Sequence, residues 1–198
     1  MTGAPAMPTV LIVPGLRDHV DAHWQTLLAA DLAARGRKVR AVPPMGRVDL
    51  DCDAKVAAIE REAQAIEGPV VLVAHSGGCV MVAHWARQTK REIRGALLAT
   101  PPDFHRPMPE GYPTVDALRE NGWLPVPRAR LPFPSIVAAS HDDPLAEFER
   151  VVELARDWGS RLVDLGEVGH LNPASGFGPW PLAHAFIEQL SQPDAVRS

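Results

Sequence analysis

The chain has 198 residues, 46% of them hydrophobic, and a formal net charge of −4. That length and apolar content suit one domain with its own core and exclude a mostly disordered chain. The charge balance leaves no basic footprint for nucleic acid or an anionic membrane surface, and the apolar runs are strand-sized, too short to span a bilayer.

In chain order, Val10 to Val13 reads as a buried first strand, broken by Pro14-Gly15-Leu16-Arg17-Asp18-His19. Trp24 to Ala34 carries Trp24, Leu27, Leu28 and Leu32 at helical spacing, with Gly36 as a stop. Val39 to Val42 is a short second strand. Asp51 caps a helix through Ile66, with Val56, Ile59, Ala63 and Ile66 on one face. Val70 to Val73 is a strand, Gly78 to Arg87 a helix, and Gly95 to Thr100 the next strand. Pro101 to Pro134 is Pro-rich and too long for a plain connection. Ser135 to Ser140 is a strand, Ala146 to Trp158 an amphipathic helix, and Leu162 to Leu165 a last strand. Trp180 to Leu190 closes the chain as a helix, and residues 191–198 read as a frayed tail. Strands alternating with helices predict a single α/β domain over residues 1–198: a mostly parallel sheet of about six strands with helices on both faces.

Two cysteines give no disulfide framework, and the N-terminus carries no apolar leader. Both features lead to the expectation of a cytoplasmic protein with reduced thiols.

The chemistry concentrates at Ser76. The run Val70-Val71-Leu72-Val73-Ala74-His75-Ser76-Gly77-Gly78 is strand, sharp turn, then helix, with a serine at the apex. A nucleophile elbow needs this shape, because the turn lifts the hydroxyl clear of the sheet and the helix N-terminus faces a developing oxyanion. The bare string [Gly/Ala]-x-Ser-x-Gly arises by chance in roughly one chain in seven of this length. Its companions give it weight. A strand ends in His141-Asp142-Asp143-Pro144, and another runs into Gly166-Glu167-Val168-Gly169-His170. The order Ser, Asp, His is that of the α/β-hydrolase triad, and each candidate lies just past a strand, where open α/β sheets bind ligands. From the residues alone, either Asp142 or Asp143 can be the acid.

The chain resembles the small α/β-hydrolases grouped with retinoblastoma-binding protein 9, and more closely their bacterial serine hydrolase or esterase relatives. The resembling segments are Val13-Pro14-Gly15 with His23-Trp24-Gln25, Ala74-His75-Ser76-Gly77-Gly78, Asp143-Pro144, and Gly169-His170-Leu171-Asn172 followed by Ser175-Gly176-Phe177-Gly178-Pro179-Trp180. The family elbow usually begins with Gly, and Ala74 departs from that by one methyl. The resemblance implies a compact α/β-hydrolase fold with Ser76 as nucleophile, Asp143 as acid and His170 as base. A rival reading, docking of a pocket protein through Leu-x-Cys-x-Glu, meets Leu50-Asp51-Cys52-Asp53-Ala54, with Ala54 where Glu is required.

An oxyanion hole is expected from the N–H groups of Gly77 and Leu16. His23 and Trp24 are candidates for the pocket, Trp24 being equally a helix anchor. Phe104, Tyr112, Trp123 and Leu124 make the 101–134 segment a candidate pocket wall. His75 is expected to shape the elbow, and Asp142 to cap the turn or the following helix. No cofactor or metal is expected, since Cys-x-x-Cys and phosphate-loop spacings are lacking. The expectation is a serine hydrolase acting on a small ester, thioester or amide. Its alternatives are an acyltransferase on the same nucleophile and a non-catalytic binding module.

Overall fold

A computed structural model describes residues 6–16, 20–46 and 48–192. The strands are β1 (Thr9–Val13), β2 (Val39–Ala41), β3 (Val70–His75), β4 (Gly95–Ala99), β5 (Ser135–Ala139) and β6 (Arg161–Asp164). They form one sheet in the order β2-β1-β3-β4-β5-β6, with every neighbouring pair parallel. The four central strands are buried along their whole length. This explains their unbroken apolar sequences, since a sheet covered on both faces needs no polar alternation. β2 and β6 form the edges and are partly exposed.

The helices are α1 (Trp24–Ala34), α2 (Cys52–Gln64), α3 (Gly77–Ala86), α4 (Val115–Glu120), α5 (Phe148–Trp158) and α6 (Leu182–Ser191). Alternate strand residues face opposite layers. Leu11, Leu72, Leu98 and Val137 pack with α2, α3 and α5; Val10, Val71, Val73 and Ile136 pack with α1 and α6. Asp51 caps α2 as expected, accepting from Ala54 N at 3.0 Å. His23 caps α1, its Nδ1 accepting from Gln25 N at 3.2 Å. The last two helices start later than their apolar patterns suggest, at Phe148 and Leu182. Ala146 N donates to Asp143 O at 3.4 Å in a turn ahead of α5, and Pro181 stands as the N-cap of α6.

Within 101–134 the structure adds α4, which the sequence reading does not contain. Thr114 Oγ1 caps it, accepting from Ala117 N at 3.1 Å. The part from α4 onward covers the core: Leu118 and Trp123 are fully buried, and Trp123 Nε1 donates to Leu50 O at 2.7 Å. Of the expected tail, residues 193–198 lie outside the described residues. Among the described residues, no helix is long and apolar enough to cross a membrane.

Candidate active site

The turn between β3 and α3 places Ser76 at φ 55°, ψ −129°. A non-glycine residue rarely adopts a positive φ, and such strain clusters at functional turns. The serine stands in the position that caps α3, yet its side chain makes no capping bond. Its Oγ lies instead 2.8 Å from His170 Nε2. Close passage at the elbow demands glycine at 78, where a Cβ would stand 2.6 Å from Val13 O and 2.7 Å from Pro14 O. Ala74, two residues before the serine, is fully buried near the end of β3.

His170 follows β6 and is 2% exposed. Its Nδ1 lies 2.9 Å from both carboxylate oxygens of Asp143, which is itself buried. A carboxylate accepts only, so the proton sits on Nδ1 and the Nε2 lone pair faces Ser76. Asp143 Oδ1 also takes the N–H of Leu145 at 2.8 Å. The main chain of His170 is tied as firmly as its ring. Its N–H donates to Ser175 Oγ at 3.0 Å, and its carbonyl accepts from His75 Nε2 at 2.9 Å and from Thr100 Oγ1 at 3.4 Å.

Asp142 does not cap a helix. Its Oδ1 accepts the N–H of Gly169 at 2.6 Å and the hydroxyl of Ser140 at 2.8 Å. The Gly169 bond, with the Ser140 bond behind it, holds the carboxyl below its ordinary range. His75 is buried, and desolvation holds its pKa well below the usual histidine range; His170 and His23 nearby add to this. His75 is therefore neutral near pH 7. Its ring centroid lies 4.6 Å from that of His23 and 4.9 Å from that of His170. His141 stacks on Phe148 and pairs with Asp164 at the surface, and His84 bonds the Trp123 carbonyl. Cys79, three residues beyond Ser76, is no rival nucleophile, because burial pushes its thiol well above the usual range.

Gly77 opens α3, so its N–H has no intrahelical acceptor. The main-chain N of Leu16 comes within 3.6 Å of the position a Gly77 Cβ would take. The two expected oxyanion donors thus sit side by side; Arg17, the next residue of that loop, lies outside the described residues.

A cavity of about 190 Å³ opens over Ser76 and His170. Its lining includes apolar Phe104, Met108 and Leu145 together with Tyr112, His23, Gln25 and His75. Three expected pocket residues are absent from it. Trp24 is fully buried between His75 and Trp180, with ring centroids 5.9 Å and 4.8 Å away. It anchors α1 to the core beside α6. Trp123 is fully buried, edge-on to Phe104 at 6.1 Å, and holds the segment down instead of lining the cavity. Leu124 likewise packs against the core. The 101–134 segment is therefore a wall in its first part and core cover in its second. Sequence reasoning missed Gln25 and Leu145; Gln25 stood in the resembling segment, and Leu145 follows the Asp-Pro turn. Among the described residues, no group of three or more His, Cys, Asp or Glu is placed to hold a metal ion.

The chain is similar to known proteins over most of its length. The serine hydrolase family model matches residues 10–189. A YdeN-like hydrolase from Pectobacterium atrosepticum is 31% identical over 94% of each chain, with a TM-score of 0.77. The ydeN gene product of Bacillus subtilis is 18% identical, covering 92% of this chain and 98% of its own, at TM-score 0.73. Est1E of Butyrivibrio proteoclasticus, solved with ferulic acid bound, shares the fold at TM-score 0.66 and 13% identity, over 93% of this chain and 86% of its own. Among curated proteins nothing matches. With its family model spanning nearly all of the sheet and the elbow serine at its centre, the chain belongs to the serine hydrolase family.

Proposed function

We propose that the protein hydrolyses a small, neutral carboxylic ester through a Ser76–His170–Asp143 triad. The observation that carries this is the position of His170, whose ring bridges Ser76 Oγ at 2.8 Å and Asp143 at 2.9 Å. His170 Nε2 takes the serine proton as Oγ attacks the carbonyl carbon, and Asp143 stabilises the imidazolium. The oxyanion forms against the N–H groups of Gly77 and Leu16 at the positive end of α3. His170 then passes its proton to the leaving alcohol and activates the water that frees the acid.

The cavity argues for a small substrate: about 190 Å³ falls below the roughly 300–1,000 Å³ of drug-sized sites. Phe104, Met108 and Leu145 in its lining favour an apolar acyl group. Labelling with a fluorophosphonate probe, followed by peptide mapping, tests the reading. Ser76 is expected to carry the label, and Ser76→Ala to lose both label and esterase activity. Full labelling of Ser76→Ala overturns it.

A further inference from the structure

The polar lining of the cavity has unfinished hydrogen bonding. Gln25 is 2% exposed, and its Nε2 donates to Val13 O at 3.1 Å and Val73 O at 3.0 Å. Both partners are carbonyls, so the amide cannot be flipped and both its protons are used. Its Oε1 meets no donor among the described residues. His75, 5% exposed, spends its Nε2 proton on the His170 carbonyl at 2.9 Å. In a neutral ring Nδ1 is then a lone-pair acceptor, and no donor among the described residues meets it. Neither atom is sealed away: among the described residues, the buried side-chain atoms lacking both a partner and any surface are Trp24 Nε1 and Arg37 Nε. The space that Gln25 and His75 share is the cavity over Ser76.

We propose that Gln25 Oε1 and His75 Nδ1 form a subsite beside the nucleophile that accepts hydrogen bonds from a neutral hydroxyl or N–H on the substrate. Burying an acceptor without a donor is costly, and a site built to bond a substrate hydroxyl strongly rejects the analogue lacking it. The lining also holds apolar Phe104, Met108 and Leu145, the first two belonging to the core on the sheet face away from Trp24. No carboxylate among the described residues lines the cavity, so an ammonium has no counter-charge there. The cavity therefore fits a substrate that offers an apolar part to Phe104, Met108 and Leu145 and a hydrogen-bond donor to Gln25 and His75. The turnover part of this inference rests on the hydrolase reading; the binding part does not.

Two isosteric pairs test it and locate the donor. Methyl 3-hydroxybutanoate against methyl 3-methylbutanoate places the donor in the acyl group, and 2-hydroxyethyl butanoate against propyl butanoate places it in the leaving group. The wild-type protein is expected to prefer the hydroxyl member of one pair by about tenfold or more in kcat/KM. Gln25→Met is expected to bring that ratio close to one, because the ratio within one variant cancels any general loss of activity. The same pairs are ranked by the thermal shift they give Ser76→Ala, where the hydroxyl member is expected to give the larger shift. Equal or reversed ranking in both pairs overturns the subsite, its acceptors then serving only bound water; so does a preference that survives Gln25→Met. Should Gln25→Met not fold, the wild-type ranking decides alone. If Ser76→Ala hydrolyses the esters normally, the hydrolase reading fails while the thermal ranking still judges the subsite.

Discussion

Asp142 and Asp143 are neighbours that grip different parts of one loop. Asp143 takes the His170 ring at Nδ1, 2.9 Å from each carboxylate oxygen, while Asp142 takes the Gly169 main-chain N–H at 2.6 Å. Adjacent side chains in an extended turn diverge, so two identical carboxylates reach the ring and the backbone beside it separately.

That division predicts unequal effects. Asp143→Asn is expected to lower turnover by about 10²–10⁴, since an amide no longer fixes the imidazole tautomer or offsets its charge. Asp142→Asn keeps an acceptor for Gly169 and is expected to cost less than about tenfold. Steady-state kinetics on one chromogenic ester ranks the two, and the opposite ranking exchanges their roles.

The strained backbone of Ser76 predicts a trade between stability and activity. Glycine tolerates φ 55°, ψ −129° far better than serine, though it costs more chain entropy on folding. Ser76→Gly is expected to gain about 1 kcal/mol, a rise in Tm of about 2–4 °C. Activity should vanish with the hydroxyl. Thermal unfolding that leaves Tm unchanged or lower counts against strain at the elbow.

His75 makes stability depend on pH. Burial holds its folded pKa well below 6.5, while the unfolded chain titrates near the ordinary value of 6.5. Below that pH the unfolded state binds a proton that the folded state refuses, so stability rises with pH and is lost as pH falls from 6.5 toward the lowered folded value. The limiting slope is about 1.4 kcal/mol per pH unit for one such group. His84, lowered by partial burial, adds in the same direction. Urea unfolding between about pH 5 and 7 is expected to show a shallower slope for His75→Gln, which keeps a donor for the His170 carbonyl. An unchanged slope refutes the assignment.

The two halves of the 101–134 segment separate by mutation. Met108 lines the cavity, and Met108→Ala is expected to move the preferred acyl length upward, with about 1–3 kcal/mol of discrimination per methylene. Trp123 is fully buried away from the cavity, and Trp123→Ala is expected to cost about 3–5 kcal/mol of stability. The ranking of esters by length should be untouched in that variant. Denaturant melts and a series of chromogenic esters measure both.

How far the sequence could be read follows from which forces act locally. α1 was readable to its ends, because its helical spacing and the following Gly36 are local signals, though the His23 cap was not foreseen. The gathering of Ser76, His170 and the Asp142-Asp143 pair at one sheet edge was readable too, since each follows an apolar strand in a parallel order; the choice of Asp143 rested on the resemblance. α4 was not: it has six residues with only Leu118 buried, too few to set a period. Trp24 and Trp123 look alike in a sequence whether they face a cavity or a core. What decides is contact with distant segments, Trp180 for one and Leu50 for the other. The roles of Gln25 and Asp142 depend on carbonyls and N–H groups of other strands and loops, which no local pattern encodes.

The sheet also ends in a particular way on each side. β2 has three residues and β6 four, and each outer border exposes backbone groups to which a foreign strand could add. Arg40 projects from β2 into an ion pair with Glu62 at 2.6 Å, and Asp164 at the end of β6 pairs with His141 at 2.9 Å. Short, charged borders are poor templates for strand addition. A sheet whose four central strands would aggregate if laid bare is thus closed to sideways growth, and the protein is protected at its borders against fibril-like stacking.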